Sequence, residues 1–271
     1  MSIATVETQT FVNEKGMGGT PVVVKKLATE GLAGAETALD GVAGDAVVMS
    51  ADSPAKVHLS CEEGAALSVK GICSAVAVLA GGAEKFTGSV TLSNGAEVPC
   101  LHEDSISYMA GFTPDYEEFP MEEMMPLLLS LGLSMGDVVP TSVPMIVDTG
   151  VKTLVMPVGL SGVENAKVNQ SALDDLCAGL DLSAVVLLQV CDGIQHAVAT
   201  FAPTNTSFLG LGKSTHALAA GCYLYDIDGA EETHFSLEEG ANTLHIQMVD
   251  DGTGVKTPYI GGVVRVMADA S

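Results

Sequence analysis

At 271 residues, with 47% apolar and only 17% charged side chains, the chain has enough apolar sequence for a real core and is not a disordered segment. Its formal charge is −23, with Arg265 as the one arginine beside ten lysines. Nucleic-acid binding is thereby excluded, because phosphates demand a basic face, and anionic membranes are disfavoured for the same reason. The bland account of the charge is a solvated acidic surface.

Residues 3–11 alternate loosely and suit a strand, Lys15-Gly-Met-Gly-Gly-Thr-Pro21 is a turn cluster, and Val22 to Lys26 form a second strand. Residues 27–44, rich in Ala and Gly, read as a helix of modest quality. Asp45-Ala-Val-Val-Met49 is a buried strand, and residues 55–61 alternate as the next one. After a turn at 62–64, Lys70 opens an apolar helix that Gly81-Gly82 ends. Short strands follow at 89–92, 97–101 and 105–111, separated by Asn94-Gly95 and similar turns. Residues 113–120 are a loop and 121–132 a short amphipathic piece. Strands at 143–147 and 152–158 flank the turn Asp148-Thr-Gly150, and 169–179 is a helix carrying acidic residues.

The pattern then repeats. Asp45-Ala-Val-Val-Met49 answers Ser183-Ala-Val-Val-Leu187, and Val57 to Cys61 answers Ala197 to Phe201. Lys70 to Leu79 answers Lys213 to Cys222, so the offset between partners drifts only from 138 to 143 residues. Two similar α+β halves are expected, residues 1–136 and 137–271, each wrapping strands around one apolar helix, with a cleft between them that holds a small molecule. The last strand is allowed to cross back into the first half.

Both apolar helices are preceded by a lysine and by small polar residues that read as helix starts. Backbone N–H groups and the positive end of the helix dipole collect at such a terminus, and two of them facing each other suit an anionic substrate. Lys70 and Lys213 are therefore candidates for proton transfer or for clamping a carboxylate; the plainer alternative is two surface lysines at equivalent points. His216, one turn into the second helix, reads as a proton relay or, more plainly, as a core or surface histidine. Cys73 reads first as a small core residue and second as a thiol activated by the helix dipole. Ser74, Ser214 and Thr215 are helix caps able to donate to a ligand.

The six cysteines are scattered without a C-x-x-C pair, so free thiols in a reducing cytoplasm are expected. No secretory leader and no apolar run of membrane-spanning length is evident. Gly210-Leu-Gly-Lys-Ser-Thr215 lacks the first glycine of a phosphate-binding loop, since position 207 is Ser207. Ile146-Val-Asp-Thr-Gly150 has no second copy to make an aspartic-protease pair.

Gly19-Thr-Pro-Val-Val-Val24, Asp148-Thr-Gly-Val-Lys-Thr-Leu-Val-Met-Pro-Val158, Phe201-Ala-Pro203 followed by Gly212 and Ala217-Leu-Ala-Ala220, and Gly261-Gly-Val-Val-Arg-Val266 together resemble, in order and spacing, the phenazine-biosynthesis (PhzF-like) isomerases. That family shares its fold with diaminopimelate epimerase. The resemblance implies two pseudo-symmetric halves, each a barrel-like mixed sheet around a central helix. It also implies proton transfer on a small carboxylate-bearing substrate without cofactor or metal, and homodimers. Asp45 stands where the family has a glutamate before its third strand. Gly71-Ile-Cys-Ser74 and Phe208-Leu-Gly-Leu-Gly-Lys213 replace stretches that carry the family's His and Asp. Asp45, Lys70 and Lys213 are thus the expected catalytic set, with Gly71, Cys73, Ser74, Gly212, Ser214, Thr215 and His216 lining the cleft. A non-catalytic small-molecule or partner-binding protein on the same scaffold is the alternative.

Overall fold

The computed structural model describes residues 3–12, 18–28, 30–40, 42, 44–60, 68–191, 195–204, 214–250, 252 and 256–267. Among the described residues fifteen strands form one continuous mixed sheet. In chain order the first part of the molecule comprises β1 (Ile3–Val12), β2 (Gly18–Leu27), the short helix α1 (Ala35–Leu39), β3 (Ala46–Met49), β4 (Ala55–Ser60), α2 (Val69–Ala80), β5 (Lys85–Leu92), β6 (Glu97–Glu103) and β7 (Ile106–Ala110). The second part comprises β8 (Asp115–Glu118), α3 (Met124–Leu131), β9 (Met145–Asp148), β10 (Lys152–Val158), α4 (Gly162–Asn165), α5 (Gln170–Leu180), β11 (Ala184–Gln189), β12 (Gln195–Phe201), α6 (Ser214–Asp226), β13 (His234–Glu239), β14 (Asn242–Asp250) and β15 (Lys256–Val266).

Strands β1 to β7 follow one another in space, and β15 pairs with both β7 and β1, closing a barrel around α2. The remaining strands run from β14 to β8 on the other side of β15 and wrap α6. The same alternation of pairings occurs twice. β2 and β3 are parallel, β3 and β4 antiparallel, β4 and β5 parallel; β10 and β11 are parallel, β11 and β12 antiparallel, β12 and β13 parallel. Each central helix is the crossover inside the second parallel pair. The repeat in the sequence is therefore a repeat in the topology. β8 precedes residue 136 yet pairs with β9, so the pairings of the two parts meet between Ala110 and Asp115.

Burial explains which residues form which element. α2 is apolar on all sides and buried over its first turns, from Val69 to Ala77 apart from Lys70, and a helix of that character belongs inside a barrel. Gly81 ends it in the left-handed conformation, φ 60°. The continuous run Val185-Val-Leu-Leu188 of β11 needs cover on both faces. Val186 and Leu188 pack in the core that surrounds the central helices, while Val185 and Leu187 pack beneath α3 and α5. β3 does the same in the first part, with Val47 and Met49 inside and Val48 under α1.

Three expectations need correction. The helix expected over residues 27–44 shrinks to α1, because Gly31 and Gly34 both take positive φ, 73° and 83°, and break the regular turn. The loop expected at 113–120 contains β8, whose acidic Asp-Tyr-Glu-Glu sequence hid it; it is the last strand in the sheet order, and charges are at home on such an edge. Gly18 to Pro21, expected as part of a turn, already belong to β2.

Candidate functional site

The amino end of α2 is built locally. Ser68 is the N-cap, with extended backbone, and its hydroxyl accepts the Gly71 N–H at 3.1 Å. Lys70, in the first turn, sends its ammonium to the Asp45 carboxylate, Nζ to Oδ2 3.1 Å. Asp45 is held where β3 begins, its carbonyl accepting the Val23 N–H of β2 at 3.1 Å. The two side chains are 26% and 11% exposed, so the pair is shielded yet still reaches solvent through the lysine. A carboxylate beside a helix amino terminus also lies at the positive end of the dipole. Two of the three residues expected to transfer protons, 25 positions apart in the chain, thus meet. Gly71 packs against β4, where an added Cβ would lie 2.8 Å from the Leu59 Cδ2 atom.

Cys73 and Ser74 do not line an open wall. Both are fully buried in the interior of the first barrel. Burial, and secondly the neighbouring Cys100, push the Cys73 thiol well above its usual value, so no thiolate forms there. The field expected from the helix dipole is outweighed by desolvation. The Ser74 hydroxyl lies 2.9 Å from that of Thr8 and 2.8 Å from that of Thr10, both on β1 and both buried. Ser74 is a tether between helix and barrel wall, not a cap.

Helix α6 begins at Ser214, which is partly exposed, whereas Thr215 and His216 are buried. The His216 Nδ1 atom is 2.8 Å from the Thr153 hydroxyl on β10. Burial drives its imidazole down to about 4, so the ring is neutral near pH 7 and behaves as a core residue rather than a charged relay. Lys213 and Gly212 lie outside the described residues, as does the Ser207 stretch of the incomplete phosphate loop. Asp148, Thr149 and Gly150 turn between β9 and β10, with the Asp148 carboxylate accepting the Gly150 N–H at 2.9 Å.

Ser68, Thr8, Thr10 and Thr153 escaped the sequence reading. Ser68 carried a usable signal, a hydroxyl residue directly before an apolar helical run. The threonines carried none, since their partners are 63 to 66 residues away. Among the described residues no group of three or more His, Cys, Asp or Glu is placed to hold a metal ion, and no helix is long and apolar enough to cross a membrane.

Neither family models nor curated proteins give a match to this chain. Solved structures do. The fold is similar to that of a "predicted epimerase" of Pseudomonas aeruginosa, at 19% identity and TM-score 0.68, covering 98% of both chains. It is similar to a PhzF-family phenazine biosynthesis protein of Bacillus anthracis, at 15% identity and TM-score 0.69, covering 99% of this chain and 98% of that one. A hydroxyproline epimerase of Agrobacterium vitis, solved with bound trans-4-hydroxy-L-proline, aligns at 9% identity and TM-score 0.54 over 98% of this chain and 91% of its own.

Proposed function

We propose, from the PhzF-like fold that this chain carries over nearly its whole length, that the protein is a cofactor-independent isomerase or epimerase acting on a small carboxylate-bearing metabolite. The observation that carries the reading is the Asp45–Lys70 pair at the first turn of the buried helix α2. Epimerases among the similar folds support the reaction class.

The chemistry is proton transfer at a carbon beside a carboxylate or carbonyl. The substrate anion docks at the amino end of α2, held by the Lys70 ammonium and the helix dipole. Asp45 takes the proton as the C–H bond breaks, and the electron pair spreads onto the substrate's carbonyl oxygen, where the ammonium stabilises the developing charge. Return of a proton to another carbon, or to the opposite face of the same one, completes an isomerisation or an epimerisation. Lys213, directly before the equivalent helix in sequence, is proposed to serve the second face from across a cleft between the two parts.

The test is incubation with a panel of small amino, hydroxy and unsaturated carboxylic acids in deuterated water, reading label at carbon by NMR. The wild type incorporates label into at least one acid, and Asp45→Asn and Lys70→Met each lower the rate by about a hundredfold or more while melting within a few degrees of the wild type. Unchanged incorporation in both variants removes the assignment. Saturable binding of an acid with no incorporation at all turns the reading to a binding protein.

A further inference from the structure

The seam between the two parts of the molecule carries a polar cluster that the proposed reaction does not use. In one row across the sheet, Ser236 on β13 pairs with His245 on β14, His245 with Gly261 on β15, and Gly261 with Tyr108 on β7. Position 261 has no room for a side chain, because a Cβ there would lie 2.0 Å from the Ser107 carbonyl oxygen. The gap it leaves lets groups from both sides of β15 meet. The His234 Nε2 atom is 3.1 Å from His245 Nδ1 and 3.4 Å from the Tyr108 hydroxyl, and the Ser236 hydroxyl is 3.2 Å from His245 Nδ1. Ser236, His245 and Tyr108 are buried, and His234 is half-buried.

The ring geometry says how the two histidines meet. Their centroids are 5.3 Å apart and the ring planes differ by 19°. With the nitrogens only 3.1 Å apart, most of the centroid distance lies between the two facing nitrogens, so the rings touch edge to edge, head-on. That is the geometry of one N–H donated to one lone pair. It does not aim two lone pairs at a third point, so it is not a metal site. It holds one proton between the rings and has no place for a second.

We propose that His234 and His245, meeting head-on beside Tyr108 across the seam strand β15, form an acid-sensitive joint between the two parts of the molecule. The groups within hydrogen-bonding distance of the pair are the Tyr108 phenol from β7 and the Ser236 hydroxyl from β13. On β15, Tyr259 shares the face of Gly261 and pairs with Gln247, the cross-strand partner of His234. Glu103 and Asp104 are the carboxylates whose field reaches Tyr108. Burial pushes both imidazoles down, and the neighbouring His234 adds to the effect on His245, which falls to about 4. Groups whose folded value is lowered hold the joint closed above the ordinary histidine value near 6.5. That contribution is lost as the pH falls from there toward the folded value. The seam also bears on the proposed site, since α2 packs against both β15 and β7. Opening the joint therefore loosens the wall on which α2 rests. The inference stands whether or not the protein is an isomerase.

The experiment is peptide-resolved hydrogen exchange on the full chain between pH 7.5 and 5.0, corrected for the intrinsic pH dependence of exchange. Protection in 106–110, 234–250 and 256–266 falls by about tenfold per pH unit per titrating ring below 6.5, while α5 keeps its protection. The double variant His234→Gln, His245→Gln, which hydrogen-bonds but does not titrate, loses this dependence. Unchanged wild-type protection, a loss spread evenly over the chain, or a full pH effect in the double variant each overturns the joint. Should the double variant fail to fold, imidazole NMR titration of the wild type decides. Both rings staying neutral below pH 5.5 supports the joint, and ordinary titration near 6.5 removes it.

Discussion

The amino ends of α2 and α6 occupy equivalent places in a duplicated topology, and they are furnished differently. At α2 a lysine of the first turn leaves the core to meet a carboxylate, while Ser74, one turn further, ties the helix to β1 through two buried hydroxyls. At α6 a neutral imidazole makes the equivalent tie, to Thr153 on β10. The fold asks of each helix only an apolar surface and polar groups with partners. Serine with two threonines satisfies that as well as histidine with one. Chemistry asks for more, a charge that reaches solvent, and among the described residues of these two ends the α2 end supplies it. A duplicated fold can thus keep its packing in both copies while the polar groups that tie its helices to the wall differ.

The largest test of this comparison is steric. Gly221, midway along α6, faces β14 so closely that a Cβ would lie 2.6, 2.7 and 2.8 Å from three atoms of Ile246, including its Cβ. The Ile246 Cβ moves only with its strand, so no rotamer relieves the clash. Gly221→Val should therefore lower the stability by about 3 kcal/mol, read from the denaturant midpoint. A loss below about 1 kcal/mol would show that α6 is not clamped by its barrel wall.

The two tethers come next. Ser74→Ala takes the Ser74 partner from the buried Thr10 hydroxyl, while Thr8 still donates to the Val22 carbonyl at 3.1 Å, at a cost of about 1.5 kcal/mol. Thr153→Val removes one bond to His216 and keeps the shape of the side chain, at a cost of about 1 kcal/mol. Denaturation of the two variants side by side ranks the tethers. If Thr153→Val costs the more, the histidine and not the serine is the stronger anchor.

The contrast between the ends also marks how far the sequence could be read. The apolar runs and their repeat located β3, β11, β4, β12 and both central helices, because a barrel interior leaves a continuous apolar signature. Lys70 was legible as a candidate because basic residues are scarce in this chain, and Asp45 because it stands where the resembled family has a glutamate; the two meet. Cys73 is a core residue, as its first reading has it, and His216 is buried, as one of its readings has it, but the sequence places neither relative to a cleft. Whether a thiol or an imidazole at a helix start faces water or core depends on walls supplied by distant strands. Strands β13 and β14 went unassigned, and with them the seam histidines, whose meaning arises only once Gly261 brings β7 and β14 to either side of β15. β8 was hidden for the opposite reason, since a mostly exposed acidic edge strand has no apolar face to announce it.

The smallest expected effect falls on the other central helix. Gly71 also sits against its wall, with a Cβ 2.8 Å from Leu59, but the atom it meets is a terminal methyl that turns away by rotation, and the next contacts, to Ser68, lie at 3.5 Å. The backbone there is helical, so alanine regains helix propensity of up to about 1 kcal/mol, which offsets the cost of moving Leu59. The cap survives, because Ser68 accepts from a backbone N–H that alanine also has. Gly71→Ala is therefore expected to stay within about 0.5 kcal/mol of the wild type by thermal or denaturant unfolding. A loss approaching that of Gly221→Val would mean that Leu59 has no second position. The α2 end would then be as tightly clamped as the middle of α6, with little freedom left for Lys70 to follow a substrate.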